Sequence, residues 1–363
     1  MARPTSPFGI LGLGMEVPST VRTNEWWPES FAKRFEERSE RDISTPAVWL
    51  DRAESPSQRI QIEEMLKTYG DPFRGAKERR IAAPGERTSD YELKAAQKAM
   101  ANAGVGPEDI DFMLVFSVPP DQYLPGDGAA LHHRLGIRRG LVANVDLACA
   151  SFVGGLAIAD SMLRAGQANM VLFVTGELLS RLADWDDPAS VGFGDGAAAA
   201  VIGPTRDGTG FIAHAGGTDG SKYEGVSCAP KSAGPWYAGA GPLLLYGRDV
   251  ELGRSVVMNT THYAELAVSA VLERAQLERQ RITHFYCHQA SSWFNQACKR
   301  ALRLEHCKTT DTFTRYANIG APNIPINLAH ARQDGDLARG DLVLMFTFGM
   351  GIVWASSLMY WSC

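Results

Sequence analysis

Cysteine is scarce in this chain. Its 363 residues include six (Cys149, Cys228, Cys287, Cys298, Cys307, Cys363), and no CxxC pair occurs, so the spacing supports neither a disulfide scaffold nor a paired zinc site. A dominant charge is also lacking. Lys and Arg number 36 against 41 Asp and Glu, a net charge of −5. No basic cluster stands beside exposed aromatics, which argues against a nucleic-acid partner. The start, MARPTSPFGILGLGM, has one arginine and an apolar run broken by glycines, unlike a secretory leader. A cytoplasmic, reduced protein is expected. With 45% hydrophobic residues, 21% charged, 36 Gly and 19 Pro, the composition is that of an ordinary globular protein, not of a disordered, collagenous or coiled-coil chain. At roughly 150 residues per domain, the length predicts two to three domains or one large fused unit.

A single uncharged run, Leu342 to Trp361, has the length of a membrane span. It is rich in Val, Phe, Ile, Trp and Thr and is cut by Gly349-Met350-Gly351. That composition predicts two buried strands joined at a glycine turn, and no membrane partner.

A long internal repeat organises the chain. The helical pattern from Glu92 running into Ile110-Asp-Phe-Met-Leu-Val has a counterpart from Glu265 running into Ile282-Thr-His-Phe-Tyr-Cys, and Val171-Leu-Phe-Val-Thr175 matches Val343-Leu-Met-Phe-Thr347. The offsets are 173, 172 and 172 positions. A unit of this length is a duplicated domain, not a solenoid repeat. Each half reads helix, apolar strand, loop, helix, apolar strand, an α/β pattern, and a cleft between the halves is where a site is expected. We divide the chain into an N-terminal half, 1–210, and a C-terminal half, 211–363. Their loops differ, which points to one active site.

Three of those loops carry chemistry. Cys149 follows the extended stretch Leu141–Leu147 and precedes a predicted helix, Phe152 to Arg164. The helix N-terminus there would favour thiolate. His288 ends a strand in the second half, and Asn318 lies in a Gly/Pro-containing loop before another helix. The trio could meet as nucleophile, proton-transfer group and orienting amide. Spacing alone leaves open that all three are satisfied core residues.

Five ordered motifs now carry a resemblance: Ala148-Cys149-Ala150, Gly192-Phe-Gly-Asp195-Gly196, His288-Gln289-Ala290, Tyr316-Ala-Asn318 and Phe348-Gly-Met-Gly351. Together with Lys77 to Pro84 they resemble the thiolase superfamily, and most closely β-ketoacyl-acyl-carrier-protein synthase III. The resemblance implies a thiolase-like fold of two pseudo-symmetric halves in a layered αβαβα core. It implies that Cys149 accepts an acyl group from a thioester while His288 and Asn318 polarise the carbonyl of a malonyl-type extender. It further implies an oxyanion hole from the N–H groups of Cys149 and Gly351, a homodimer, acyl-carrier-protein or CoA thioesters as substrates, and no metal or other cofactor. Asp195 reads as a structural turn residue.

The sequence also departs from the family pattern. About residues 31–73 are extra, charged and helical in pattern, either a solvated flap or a lid or wall that reshapes the acyl tunnel or carrier dock. Arg74 (in Phe73-Arg74), Trp293 and Ser291 stand at altered substrate-contact positions, Leu124 replaces an aromatic at a loop that reaches the partner subunit's pocket, and Phe348 joins them as a substrate contact. These changes suggest a secondary-metabolite or polyketide variant rather than the enzyme of fatty-acid initiation. Claisen condensation is the first reading, acyl transfer to a hydroxyl or amine the second, and a non-catalytic partner subunit the third. A cysteine hydrolase would use the same trio. A zinc site at Cys287-His288, Cys298 and His306-Cys307 lacks paired-ligand spacing.

Overall fold

A computed structural model describes residues 7–33, 45–206, 208–231, 237 and 241–363. Strands β1 (Phe8–Glu16), β2 (Val21–Thr23), β3 (Glu78–Arg80), β4 (Phe112–Val118), β5 (Leu141–Asn144), β6 (Val171–Leu178) and β7 (Asp195–Pro204) come first. They are followed by β8 (Gly210–Thr218), β9 (Ser227–Ala229), β10 (Leu244–Tyr246), β11 (His284–Cys287), β12 (Leu342–Gly349) and β13 (Val353–Tyr360). One main sheet has the order β1-β7-β6-β4-β5, the other β11-β12-β13-β8. In each, a parallel pair (β4 and β6; β11 and β12) is continued by antiparallel strands. Lys308 bridges parallel to His284 just where β5 lies parallel to β4 in the first sheet. The two sheets therefore share one strand order, the structural form of the sequence repeat.

Both faces of each sheet are covered, which explains the near-continuous apolar strands. On β6, Val171 and Phe173 face an inner layer while Leu172 and Val174 face an outer one. On β12, Val343 and Met345 point inward and Leu342, Leu344 and Phe346 outward. The inner layer holds the helices Ser151–Arg164 and Asn323–Gln333, through Phe152, Leu156, Ile324 and Leu328. Helix Thr88–Ala103 covers the first sheet, and helices Thr260–Ala275 and Phe294–Ala301 cover the second. The layers run αβαβα. Gly14 on β1 is required by this packing, since an added Cβ would overlap the carbonyl oxygen of Ala95.

The uncharged C-terminal run is the antiparallel hairpin β12–β13, paired from Leu342↔Tyr360 to Gly349↔Val353. Among the described residues no helix is long and apolar enough to cross a membrane.

The 31–73 segment is helical at Thr45–Asp51 and Pro56–Leu66, while Arg34 to Glu37 of its charged pattern lie outside the described residues. Ser55 caps the second helix by accepting from the Gln58 N–H, and Pro56 occupies its first turn. The second helix is not a solvated flap: Gln61 and Ile62 are fully buried and Glu64 nearly so. The charged pattern misleads because these polar groups find fixed partners on the neighbouring helices.

Candidate active site

Cys149 sits on a tight turn between β5 and helix Ser151–Arg164. Asp146 Oδ1 accepts the Ala148 N–H at 2.9 Å, and Ser151 Oγ accepts the Leu147 N–H at 2.9 Å. Ala148 is driven to φ +49°, a region non-glycine residues seldom occupy. The Thr347 hydroxyl on β12 donates to the Cys149 carbonyl at 2.9 Å. Gly349 permits that approach, because a Cβ there would lie 2.8 Å from the Cys149 nitrogen.

His288 follows β11, and its N–H donates to the Phe346 carbonyl at 3.1 Å. The next residue, Gln289, is a buried hub: its N–H donates to Asn323 Oδ1, and its Oε1 accepts from the Thr312 N–H and from the amides of Asn323 and Asn327. Asn318 is fixed on both sides, its N–H donating to the Gly192 carbonyl and its carbonyl accepting the Gly194 N–H. The Gly320 N–H donates to Asn318 Oδ1 at 2.9 Å, which turns the Nδ2 donors to the other end of the amide.

These turns meet at one cavity of about 260 Å3, lined by Cys149, His288, Asn318, Phe348 and Gly351 and otherwise mostly by apolar side chains. Burial pushes the His288 imidazole down to about 4, so it is neutral at physiological pH. Burial, and then the charge of Glu177, push the Cys149 thiol well above its usual value. The helix N-terminus is expected to favour thiolate; burial in the apolar cavity outweighs it, the Glu177 charge adds to the effect only where that carboxyl ionises, and the resting group is a thiol.

Glu177 is the site residue that motif reading missed. It lines the cavity from the end of β6, and its Oε1 accepts the Ala321 N–H at 2.6 Å. Burial raises its carboxyl to about 8. The signal was present as one acid inside the buried run Val171-Leu-Phe-Val-Thr-Gly-Glu177-Leu-Leu. Gly320 must be glycine here: its φ is +65°, and a Cβ would overlap the Glu177 carboxylate. Glu177 thus ties β6 to the loop that carries Asn318.

Four expected substrate contacts do not line this cavity. Arg74 is exposed and its carbonyl accepts the Ser292 hydroxyl at 2.7 Å, so its backbone is tied to the 288–293 loop. Trp293 is drawn onto Phe294, 5.5 Å between ring centroids, at the start of a helix, while the Ser291 carbonyl accepts the Phe294 N–H. Leu124 is 79% exposed at the tip of the loop after β4. Asp195, at the start of β7, holds the segments that follow β3 and β6 by accepting from Ala82 N–H, Ser180 N–H and Ser180 Oγ. Of the residues weighed for zinc, Cys307 Sγ is engaged by the Ile282 carbonyl and His306, and among the described residues no group of three or more His, Cys, Asp or Glu could hold a metal ion.

The family model described as 3-oxoacyl-(acyl-carrier-protein) synthase III matches residues 143–220, and its C-terminal counterpart matches 272–361. The β-ketoacyl-(acyl-carrier-protein) synthase III of Rhodospirillum centenum is 35% identical over 359 residues, 97% of this chain and 98% of that protein. The same enzyme of Bacillus pumilus is 31% identical over 357 residues, again 97% and 98% of the two chains. The crystal structure of 3-oxoacyl-(acyl-carrier-protein) synthase III from Aquifex aeolicus superposes with a TM-score of 0.77 at 26% identity, covering 98% of this chain and 100% of that one.

Proposed function

The chain belongs to the 3-oxoacyl-(acyl-carrier-protein) synthase III family, and from its cavity we propose that it condenses two thioesters, with Cys149 as the acyl carrier. The observation that carries this reading is the convergence of Cys149, His288 and Asn318 on one apolar cavity. In the first half-reaction the Cys149 sulfur attacks the thioester carbonyl, loses its proton, and the carrier's thiol departs with a proton. The N–H groups of Cys149 and Gly351, both at the cavity, serve in this reading as the oxyanion hole, an arrangement typically contributing about 3 kcal/mol.

In the second half-reaction a malonyl-type thioester loses CO2, and its carbanion attacks the acyl group on Cys149. A new C–C bond forms as the C–S bond breaks, and the Cys149 thiolate is reprotonated. A neutral His288 and the Asn318 amide serve here as hydrogen-bond donors to the extender's carbonyl oxygen, where enolate charge collects. The reading requires no metal and no redox cofactor. Donor and extender arrive on an acyl carrier protein or on CoA, in the cytoplasm, to a homodimer. A role in secondary metabolism rests on the altered contacts at Arg74, Ser291, Trp293 and Leu124.

Acyl transfer to a hydroxyl or amine is the second reading. It is favoured by an open, more polar cleft of about 430 Å3, lined by Asp146, Tyr223, Ser227 and Cys228, that shares Ala148, Met350 and Gly351 with the cavity. Intact-protein mass spectrometry of wild type and Cys149→Ala, exposed to acyl-CoA and acyl-carrier thioesters, tests both readings. Adducts on wild type alone, discharged by malonyl thioester to a β-keto product, support condensation. Discharge only by an alcohol or amine selects the second reading, release of free acid selects hydrolysis, and equal labelling of Cys149→Ala or no labelling removes Cys149 as nucleophile.

A further inference from the structure

One wall of the cavity is held from outside the half that contains it. Val256 and Val257 line the cavity at the end of helix Val250–Met258, and helix Thr260–Ala275 begins after the single residue Asn259. Such a junction gathers unpaired backbone groups, the last carbonyls of one helix and the first N–H groups of the next. The Asn259 side chain does not cap the second helix. Gln61 serves the junction instead. It is fully buried, its Nε2 donates to the Val257 carbonyl at 2.5 Å, and its Oε1 accepts the Thr261 N–H at 3.1 Å and the Thr261 hydroxyl at 3.3 Å. Gln58 adds a bond from Nε2 to the Met258 carbonyl at 3.3 Å.

Both glutamines come from helix Pro56–Leu66, within the 31–73 segment that the sequence reads as extra. That helix is anchored on a second side as well. Arg300 pairs with Glu64 at 2.5 Å and with Glu63 at 2.8 Å, and Ser57 Oγ donates to Glu265 Oε2 at 3.3 Å. A buried amide is costly unless its groups are bonded. Gln61 spends both ends of its amide on one junction, so a small displacement of its helix is passed to the Val256–Val257 wall without slack.

We propose that Gln61, supported by Gln58, is a positioning residue for acyl selectivity: through it the extra helix fixes the Val256–Val257 wall and so decides which acyl chains the cavity admits. This rests on the acyl-transfer reading above. In an apolar pocket one methylene changes discrimination on the order of tenfold or more, so a shifted wall should be visible in donor choice.

The experiment is a competition in which equimolar acetyl-, butyryl-, isobutyryl- and octanoyl-CoA are offered to wild type, Gln61→Ala and Val257→Ala. The ratios of the adducts on Cys149 are read by intact mass, and hydrogen exchange is followed over residues 255–263. The expected result is that Gln61→Ala loses exchange protection at Thr261 and shifts the octanoyl-to-acetyl ratio on the order of tenfold, in the same direction as Val257→Ala. A merely structural role would lower the unfolding midpoint and leave the ratios unmoved, which overturns the inference. Should Gln61→Ala not fold, Gln58→Ala, which at the same junction removes only the bond to the Met258 carbonyl, is judged by the same ratios. Failure of wild type to load any donor overturns the acyl-transfer reading and this inference with it; a loaded wild type whose ratios the variants share overturns this inference alone.

Discussion

At the residue scale, strain and burial gather around the cavity. Ala148, Ala317 and Ile352 have φ of +49°, +57° and +49°, and each adjoins an expected site residue, Cys149, Asn318 or Gly351. Ala317, with ψ −150°, occupies a region that is almost exclusively glycine's and costs about 1–3 kcal/mol. Ala317→Gly should therefore destabilise less than Ala199→Gly in the regular strand β7, although both alanines are fully buried; paired urea titrations would show it, and equal losses would remove the strain argument. Glu177 offers a second test. Its charge helps hold the Cys149 thiol up, so Glu177→Gln, which keeps an acceptor for Ala321, should move the pH profile of Cys149 alkylation by iodoacetamide to lower pH. An unchanged profile would count against electrostatic contact between the two. The same carboxyl should also mark stability. Its folded value of about 8 lies above the usual 4.5, so the folded state holds the proton more tightly than the unfolded chain. Its contribution is fully present below about pH 4.5 and is lost as pH rises through 8. Wild type should lose stability over this window more steeply than Glu177→Gln in urea titrations at pH 5, 6.5 and 8.

At the scale of elements, the glycines that the sequence scattered along strands and helices become close contacts. Gly154 and Gly155 admit Leu147 and Phe173 against helix Ser151–Arg164, and Gly14 admits the backbone of helix Thr88–Ala103. Gly14→Ala should cost about 1–3 kcal/mol or more, since the obstacle is backbone and cannot rotate aside; a midpoint shift under denaturant measures it. The hairpin β12–β13 was legible as two strands because its composition favoured strands and Gly349-Met350-Gly351 broke it. The 31–73 segment was legible as helical but not as docked. Its packing depends on Gln61 and Glu64 finding Thr261 and Arg300, residues about 200 and 236 positions away in the chain.

At the scale of the molecule, the first sheet ends on β5, a short strand whose Leu141 is 64% exposed. An open edge with an apolar residue is a template for pairing with another chain, which supports the expected homodimer. Sedimentation should give twice the chain mass for wild type, and Leu141→Lys, placing a charge on that edge, should raise the dissociation constant. A monomeric wild type would remove the edge as an interface. The exposed Leu124 tip belongs to the same question, since any contact it makes with an acyl pocket must be in another copy.

The sequence by itself determined the duplication, the α/β class and the three loops bearing Cys149, His288 and Asn318, because these are written locally: apolar periodicity, strand-to-helix transitions, and reactive residue types set in glycine-rich turns. Only the tertiary structure decided which charges face the nucleophile and what holds the cavity's wall. Glu177 beside Cys149, and Gln61 between two helices of the other half, are juxtapositions across long sequence separations. The protonation of Cys149 and the shape of its pocket follow from burial and from neighbours that come together only when both halves have folded.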